Sequence, residues 1–168
     1  MKQSQQISLK ILNRDQLNPQ LRRWDLLGKK IVFTNGVFDI LHQGHLSLLS
    51  QVAVLADILI VGVNSNSSVK KLKGDTRPVN DEYSRALLLA SLLMIDAVIV
   101  FEEETPLDLI KTIKPNVLVK GGDYTVDNIV GAKEVLAYGG EVKIVPIEEG
   151  FSTSLIIEKA KKSIGINK

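Results

Sequence analysis

Five apolar runs of strand length punctuate the chain: Lys30–Phe33, Asp57–Asn64, Asp96–Phe101, Val117–Val119 and Val142–Val145. Most of the intervals carry the longer period of an amphipathic helix, over Leu46–Ala53, Asp81–Leu93, Pro106–Ile113 and Asp127–Tyr138, with a last helix from Thr153. Asn35-Gly36 reads as the turn that ends the first strand. A strand apolar on both faces, as Ile58–Val63 is, belongs inside a parallel sheet covered by helices on either side. Alternation of such strands with helices predicts an α/β fold, a doubly wound, Rossmann-like parallel sheet with right-handed crossovers and helices on both faces. Ligands of these sheets sit outside the carboxyl ends of the strands, so the loops that follow the apolar runs are where chemistry is expected.

Residues 1–27 form an N-terminal extension with apolar positions at Ile7, Leu9, Ile11, Leu12 and Leu17, followed by Leu21–Leu27. Asn18-Pro19 predicts a break, hence two short helices that pack on the sheet edge or on a second subunit. Trp24 reads as a core or interface anchor. Residues 28–168 then make one domain. With 168 residues, 45% of them apolar, the chain has a globular composition and length enough for a real core. Twenty-one basic against nineteen acidic residues leave +2, and only 5% are aromatic, which gives no footing for a nucleic-acid partner. No cysteine is present, so a disulfide scaffold is excluded. Met1–Gln6 lacks the apolar centre of a signal peptide and no run is long enough to span a bilayer, so a cytoplasmic protein without a membrane partner is expected.

The junction between the first strand and its helix concentrates the chemistry. Unpaired N–H groups and the positive end of a helix macrodipole make such a junction an anion site. The chain's only histidines, His42 and His45, stand there three residues apart, which puts both imidazoles on one face of a helix that begins near His42. Donors beside an anion hole suit a phosphate that gains charge during reaction. Zinc would need three or four ligands, and the chain offers no cysteine and no third histidine. A pair that merely satisfies turn carbonyls is the bland alternative, and the strand, glycine turn and helix start around it favour function.

Gly36-Val37-Phe38-Asp39-Ile40-Leu41-His42-Gln43-Gly44-His45 resembles the G-x-F-D-x-x-H-x-G-H signature of the cytidylyltransferase-like nucleotidyltransferases. A narrower resemblance, to the heptose 1-phosphate adenylyltransferases, runs from Gly28 to Lys162. It rests on Phe33–Gly36, Ser68–Gly74, Arg77–Asn80, Lys120–Tyr124 and Gly150–Ser154. Val37 departs from the cysteine usual in that family. The resemblance implies a nucleotidyltransferase-type sheet and transfer of AMP from ATP to heptose 1-phosphate, giving ADP-heptose and pyrophosphate for lipopolysaccharide. The family also occurs fused to a sugar kinase; no kinase domain is visible in this chain, which implies a separate kinase upstream, and a homodimer is favoured.

Beyond the histidines, the residues leave several roles open. Asn64–Arg77 reads as a polar loop whose lysines either fold over a triphosphate or are simply solvated. Lys120–Tyr124 ends a strand with paired glycines, which permit close ligand approach or a turn. Ser152 or Thr153 suits a helix N-cap, where hydroxyls and amides can also meet phosphate. The resemblance assigns His42, His45, Lys71 and Lys73 to catalysis, with either lysine as the phosphate contact. It assigns Thr34, Asn35, Gly36, Phe38, Asp39, Gly44, Arg77, Lys120, Gly121, Asp123, Ser152, Thr153 and Ser154 to ATP, with Arg77 gripping phosphate bidentately. Asn64, Arg85 and Tyr124 fall to the acceptor, Arg85 alternatively to a salt bridge, and Asp39 either orients the histidine loop or meets the metal. Gly36 and Gly44 leave room for the nucleotide. Mg²⁺ would arrive on the ATP phosphates, with no protein side chain assigned to it. The rival readings are another substrate pair, such as CTP with glycerol 3-phosphate or ATP with FMN, and a non-catalytic nucleotide-binding module.

Overall fold

Alternate residues of the central strands divide between two apolar cores, and that division positions everything else. The computed structural model describes residues 5–148 and 150–164; the parts of the N-terminal and C-terminal readings that fall on 1–4 and 165–168 lie outside them. Six strands, β1 (Ile11–Leu12), β2 (Ile31–Gly36), β3 (Ile58–Asn64), β4 (Ala97–Phe101), β5 (Val117–Gly121) and β6 (Glu141–Val145), form one sheet in the order β1-β4-β3-β2-β5-β6. Every pairing is parallel. On one face Ile31, Phe33, Ile58, Ile60, Ala97, Ile99 and Leu118 pack against α2 (Arg14–Leu26), α6 (Leu107–Ile113) and α7 (Ala132–Ala137). On the other, Val32, Leu59, Val61, Val63, Val98, Val117 and Val119 pack against α3 (Gln43–Ala53) and α5 (Glu82–Ala90). Burying each Val, Leu, Ile or Phe side chain among these stabilises the fold by roughly 1.5–3 kcal/mol, which is why the expected two-sided parallel sheet is the outcome.

Local readings are corrected in five places. The N-terminal extension begins with a short helix, α1 (Gln5–Ser8), then contributes β1, which pairs with β4 at the sheet edge. After it α2 runs unbroken through Pro19. A reciprocal cap between Asn13 and Gln16 starts that helix, and burial of Leu17 and Trp24 outweighs the roughly 3 kcal/mol an interior proline costs. The first strand does not end at Asn35; it continues to Gly36, in register with Val63. Much of the polar loop after β3 is a helix, α4 (Asn66–Lys73), capped by Ser65, whose Oγ accepts from the Ser68 amide, and anchored by buried Val69. One apolar anchor in eight residues leaves almost no period to read. The expected helix over Asp127–Tyr138 is a 3₁₀ turn at Val126–Asn128 and then α7, separated at Gly131, whose φ of +85° and close contact with Ile110 suit only glycine.

Candidate active site

His42 is the N-cap of α3 and His45 lies in its first turn, with the His45 amide donating to the His42 carbonyl at 2.9 Å. The two imidazoles stack, centroids 3.8 Å apart and planes 21° from parallel, and Phe38 backs His45 at 5.1 Å. Among the described residues neither Nδ1 has a hydrogen-bond partner, although both are buried. Burial pushes the His45 imidazole down to about 4, helped by the neighbouring His42 and Lys73, and burial also lowers His42. Near neutral pH both rings are therefore uncharged, and each offers a single N–H donor to an anion. A lone polar side chain that the protein itself leaves without a partner marks a place for a ligand.

The histidines open onto a cavity of about 400 Å³ lined also by Gly44, Lys73, Arg77, Phe151, Ser152, Thr153 and Ser154. Basic, hydroxyl and amide donors thus converge there from α3, from α4 and its following loop, and from the start of α8 (Thr153–Ser163). Ser152 caps α8 by accepting from the Leu155 amide. Of the two lysines left open, Lys73 lines this cavity; Lys71 is exposed and does not. A Cβ at Gly44 would stand 3.1 Å from Phe151 Cβ and 3.2 Å from His42 Nδ1, tighter than ordinary contact, so the glycine lets both side chains close on the helix start.

Asp39 faces the protein. Its Oδ1 accepts from the Val79 and Asn80 amides at 2.8 and 2.9 Å, and its Oδ2 accepts from Arg77 Nε and Nη2, each at 2.7 Å. Burial pushes this carboxyl up, but the two amides and Arg77 outweigh it and hold it below the ordinary carboxylate range. Of the two roles open to Asp39, the geometry favours orienting the histidine loop. Arg77 in turn spends one edge of its guanidinium on Asp39, so its fork is partly occupied before any phosphate arrives.

Arg85 is the buried counterpart of that latch. It is fully buried and donates to the carbonyls of Asn80, Val37 and Asn64 and to Asn66 Oδ1, at 2.7–3.0 Å. An acceptor-binding side chain must reach solvent, and this one does not; nor, among the described residues, is it paired with a carboxylate at salt-bridge distance. Instead it ties the turn before α3, the end of β3 and the loop before α5 together. Phe38, in that turn, holds a φ of +48°, a conformation costing of order 1 kcal/mol for a residue with a side chain. Arg85 on the Val37 carbonyl and the Asn80 side-chain Nδ2 on the Asp39 carbonyl hold the backbone on either side of it.

The remaining candidates separate. Asn35, Gly36, Asn64, Lys120 and Tyr124 line a second cavity, of about 370 Å³, with Leu72, Glu104, Thr105 and Asn128. Thr34 is buried in β2 and Asp123 is exposed. Gly121 leaves space for Leu48, both of whose methyls would lie 2.9 Å from a Cβ there. Gly36 similarly accommodates the Phe38 ring, 3.0 Å from where a Cβ would stand. Glu104 and Thr105 were absent from the sequence-derived site. They carry no motif, and only their place just beyond the carboxyl end of β4 could have drawn attention to them.

A family model described as cytidylyltransferase-like matches residues 33–159. The chain is 52% identical over 150 residues to the bifunctional protein HldE of Koribacter versatilis and 51% identical over 151 residues to that of Caulobacter vibrioides. Those matches cover 89% and 90% of this chain, and the chain spans about 31% of the length of each relative. Among solved structures it is similar to a lipopolysaccharide core biosynthesis protein from Thermoplasma volcanium, with 32% identity and a TM-score of 0.59 over 72% of this chain and 98% of that one. A pantoate-beta-alanine ligase from Francisella tularensis shares the fold alone, with 21% identity and a TM-score of 0.63 over 90% of this chain and 76% of the other.

Proposed function

Because this chain belongs to the cytidylyltransferase-like family, we propose that it is an adenylyltransferase that moves AMP from ATP to a heptose 1-phosphate, releasing pyrophosphate. The observation that carries the reading is the stacked, unpartnered pair His42 and His45 at the start of α3, facing a cavity shared with Lys73, Arg77 and the Ser152–Ser154 cap. Similarity to the HldE proteins over about nine-tenths of the chain, and to a lipopolysaccharide core biosynthesis protein, supports the heptose and the glycan destination.

An oxygen of the sugar phosphate attacks the α-phosphorus of ATP in line; the bond from that phosphorus to the bridging oxygen breaks, and pyrophosphate carries the electron pair away. The nucleophile is already an anion and needs no base, so the protein's task is alignment and charge stabilisation. His42 and His45 donate N–H groups to the α- and β-phosphate oxygens as charge builds, the α3 N-terminus adds its dipole, and Lys73 with the free part of Arg77 holds the β,γ end. Ser152–Ser154 supply hydroxyls and helix amides to the same phosphates. Among the described residues no three His, Asp or Glu side chains gather to hold a metal, and Asp39 is occupied. Mg²⁺ would come with ATP and would supply charge neutralisation on the phosphates. We take the protein to act as a cytoplasmic homodimer. Among the described residues no helix is long and apolar enough to cross a membrane.

Pyrophosphate release with Mg²⁺ tests this, crossing ATP and CTP against heptose 1-phosphate, glycerol 3-phosphate and FMN. Release with ATP and heptose 1-phosphate alone is expected. Release with another pair keeps the chemistry and discards the substrate, and release with none makes the chain a binding module.

A further inference from the structure

The second cavity lies over the carboxyl ends of β4, β3, β2 and β5 and shares no lining residue with the histidine cavity. Lys120, in β5, enters it at one side; Glu104 and Thr105, just after β4, stand at the other. Those strands are three inter-strand spacings apart, about 14 Å. Charge is therefore segregated across the cavity, a cation at one end and a carboxylate at the other.

At the cationic end the Lys120 ammonium donates to the Asn35 carbonyl at 3.1 Å and to Asn35 Oδ1 at 3.0 Å. An ammonium has three donors, so one remains for a ligand. Among the described residues no carboxylate lies within salt-bridge distance of it, and burial already disfavours its charged form. A desolvated cation without a counter-ion at the edge of a cavity calls for an anion. At the other end Glu104 and Thr105 provide a carboxylate and a hydroxyl, and Asn64 and Asn128 add amides elsewhere in the lining, Asn64 Nδ2 already donating to Ser68 Oγ at 3.0 Å; these groups hydrogen-bond hydroxyls and carry no further positive charge.

We propose that this cavity is the acceptor site, in which Lys120 takes the phosphate of a polyhydroxylated sugar 1-phosphate while Glu104 and Thr105 bind its hydroxyls and set its identity. The assignment deepens the function proposed above and rests on it. It also divides the labour: ATP occupies the histidine cavity and the sugar its neighbour. The sugar's phosphate then lies at the end of β2, beside Gly36, where an oxygen can be presented across the turn to the α-phosphorus. Lys120 and Asn35, assigned to ATP by family resemblance, move to the acceptor.

The test titrates heptose 1-phosphate into protein saturated with a non-hydrolysable ATP analogue, alongside steady-state pyrophosphate release. Wild type is expected to bind both ligands at once. Glu104→Gln and Thr105→Val, at exposed positions that do not endanger folding, should each raise KM for the sugar phosphate about tenfold and leave KM for ATP within twofold. Lys120→Met should weaken sugar phosphate binding at least as much. Sugar phosphate that fails to bind or displaces the analogue overturns the site, as does an ATP KM that rises in step with that of the sugar. Normal pyrophosphate release with sugar binding unmoved by all three substitutions also overturns it while leaving the adenylyltransferase standing. Simultaneous binding sensitive to Glu104, without any pyrophosphate release, sustains the site and removes the adenylyltransferase.

Discussion

Asp39 and Arg77, thirty-eight residues apart, form a buried ion pair through two contacts of 2.7 Å, with the carboxylate side chain only 1% exposed. The pair locks the loop before α5 onto the turn that presents His42 and His45. Two backbone amides, of Val79 and Asn80, complete the carboxylate's shell. Asp39→Ala would leave Arg77 and both amides without their acceptor. The expected loss is about 3 kcal/mol in urea unfolding, at the low end for a broken buried pair because Arg77 keeps some contact with solvent. A change below 1 kcal/mol would show that the latch is ornamental.

His45→Ala should lower kcat by about 10²–10³-fold, the range for removing one transition-state donor, while ATP affinity stays within a few-fold. Lost ATP binding with turnover retained would make His45 a ground-state ligand instead.

Lys73→Ala should raise KM for ATP by about tenfold, the effect of removing one charge-assisted contact, whereas Lys71→Ala should leave it unchanged, since only Lys73 lines the histidine cavity. Equal effects of the two substitutions would count against the arrangement of α4.

Stability should fall with acid in a defined window. His45 titrates near its ordinary 6.5 in the unfolded chain and at about 4 when folded, because burial opposes its charging. Between those values the unfolded chain holds more protons, so stability is full above pH 6.5 and declines as pH falls toward 4. Asp39, whose folded pKa is lowered, adds a second loss as pH falls below its unfolded value of 3.8. Melting temperatures measured from pH 7 to pH 3 should show both stages, and His45→Gln should flatten the first. A profile unchanged by that substitution would refute the assignment.

The strand, turn and helix around His42 and His45 were readable because each signal is local: an apolar run, a glycine, and two histidines at helical spacing. The same holds for the two-sided apolar strands that predict a parallel sheet. What misled was equally local. Asn18-Pro19 looks like a helix break, yet burial of Leu17 and Trp24 carries α2 through it. The residues of α4 look like a solvated loop because a single buried anchor, Val69, leaves no period to detect.

Local chemistry by itself determined that a parallel α/β sheet presents a histidine pair at a helix start, because hydrophobic period and helix-terminus electrostatics act within a few residues. Only the tertiary structure decided what each polar side chain faces. Arg85 and Asp39 were equally plausible as ligands from their residue types, and both turn inward, because a buried charge must find partners and theirs are backbone and side-chain groups 5 to 48 positions away. Lys120 and Glu104 share a cavity because the strand order places the ends of β5 and β4 on one edge of the sheet. That order follows from how two cores close around six strands, a long-range packing outcome that no short stretch of the chain encodes.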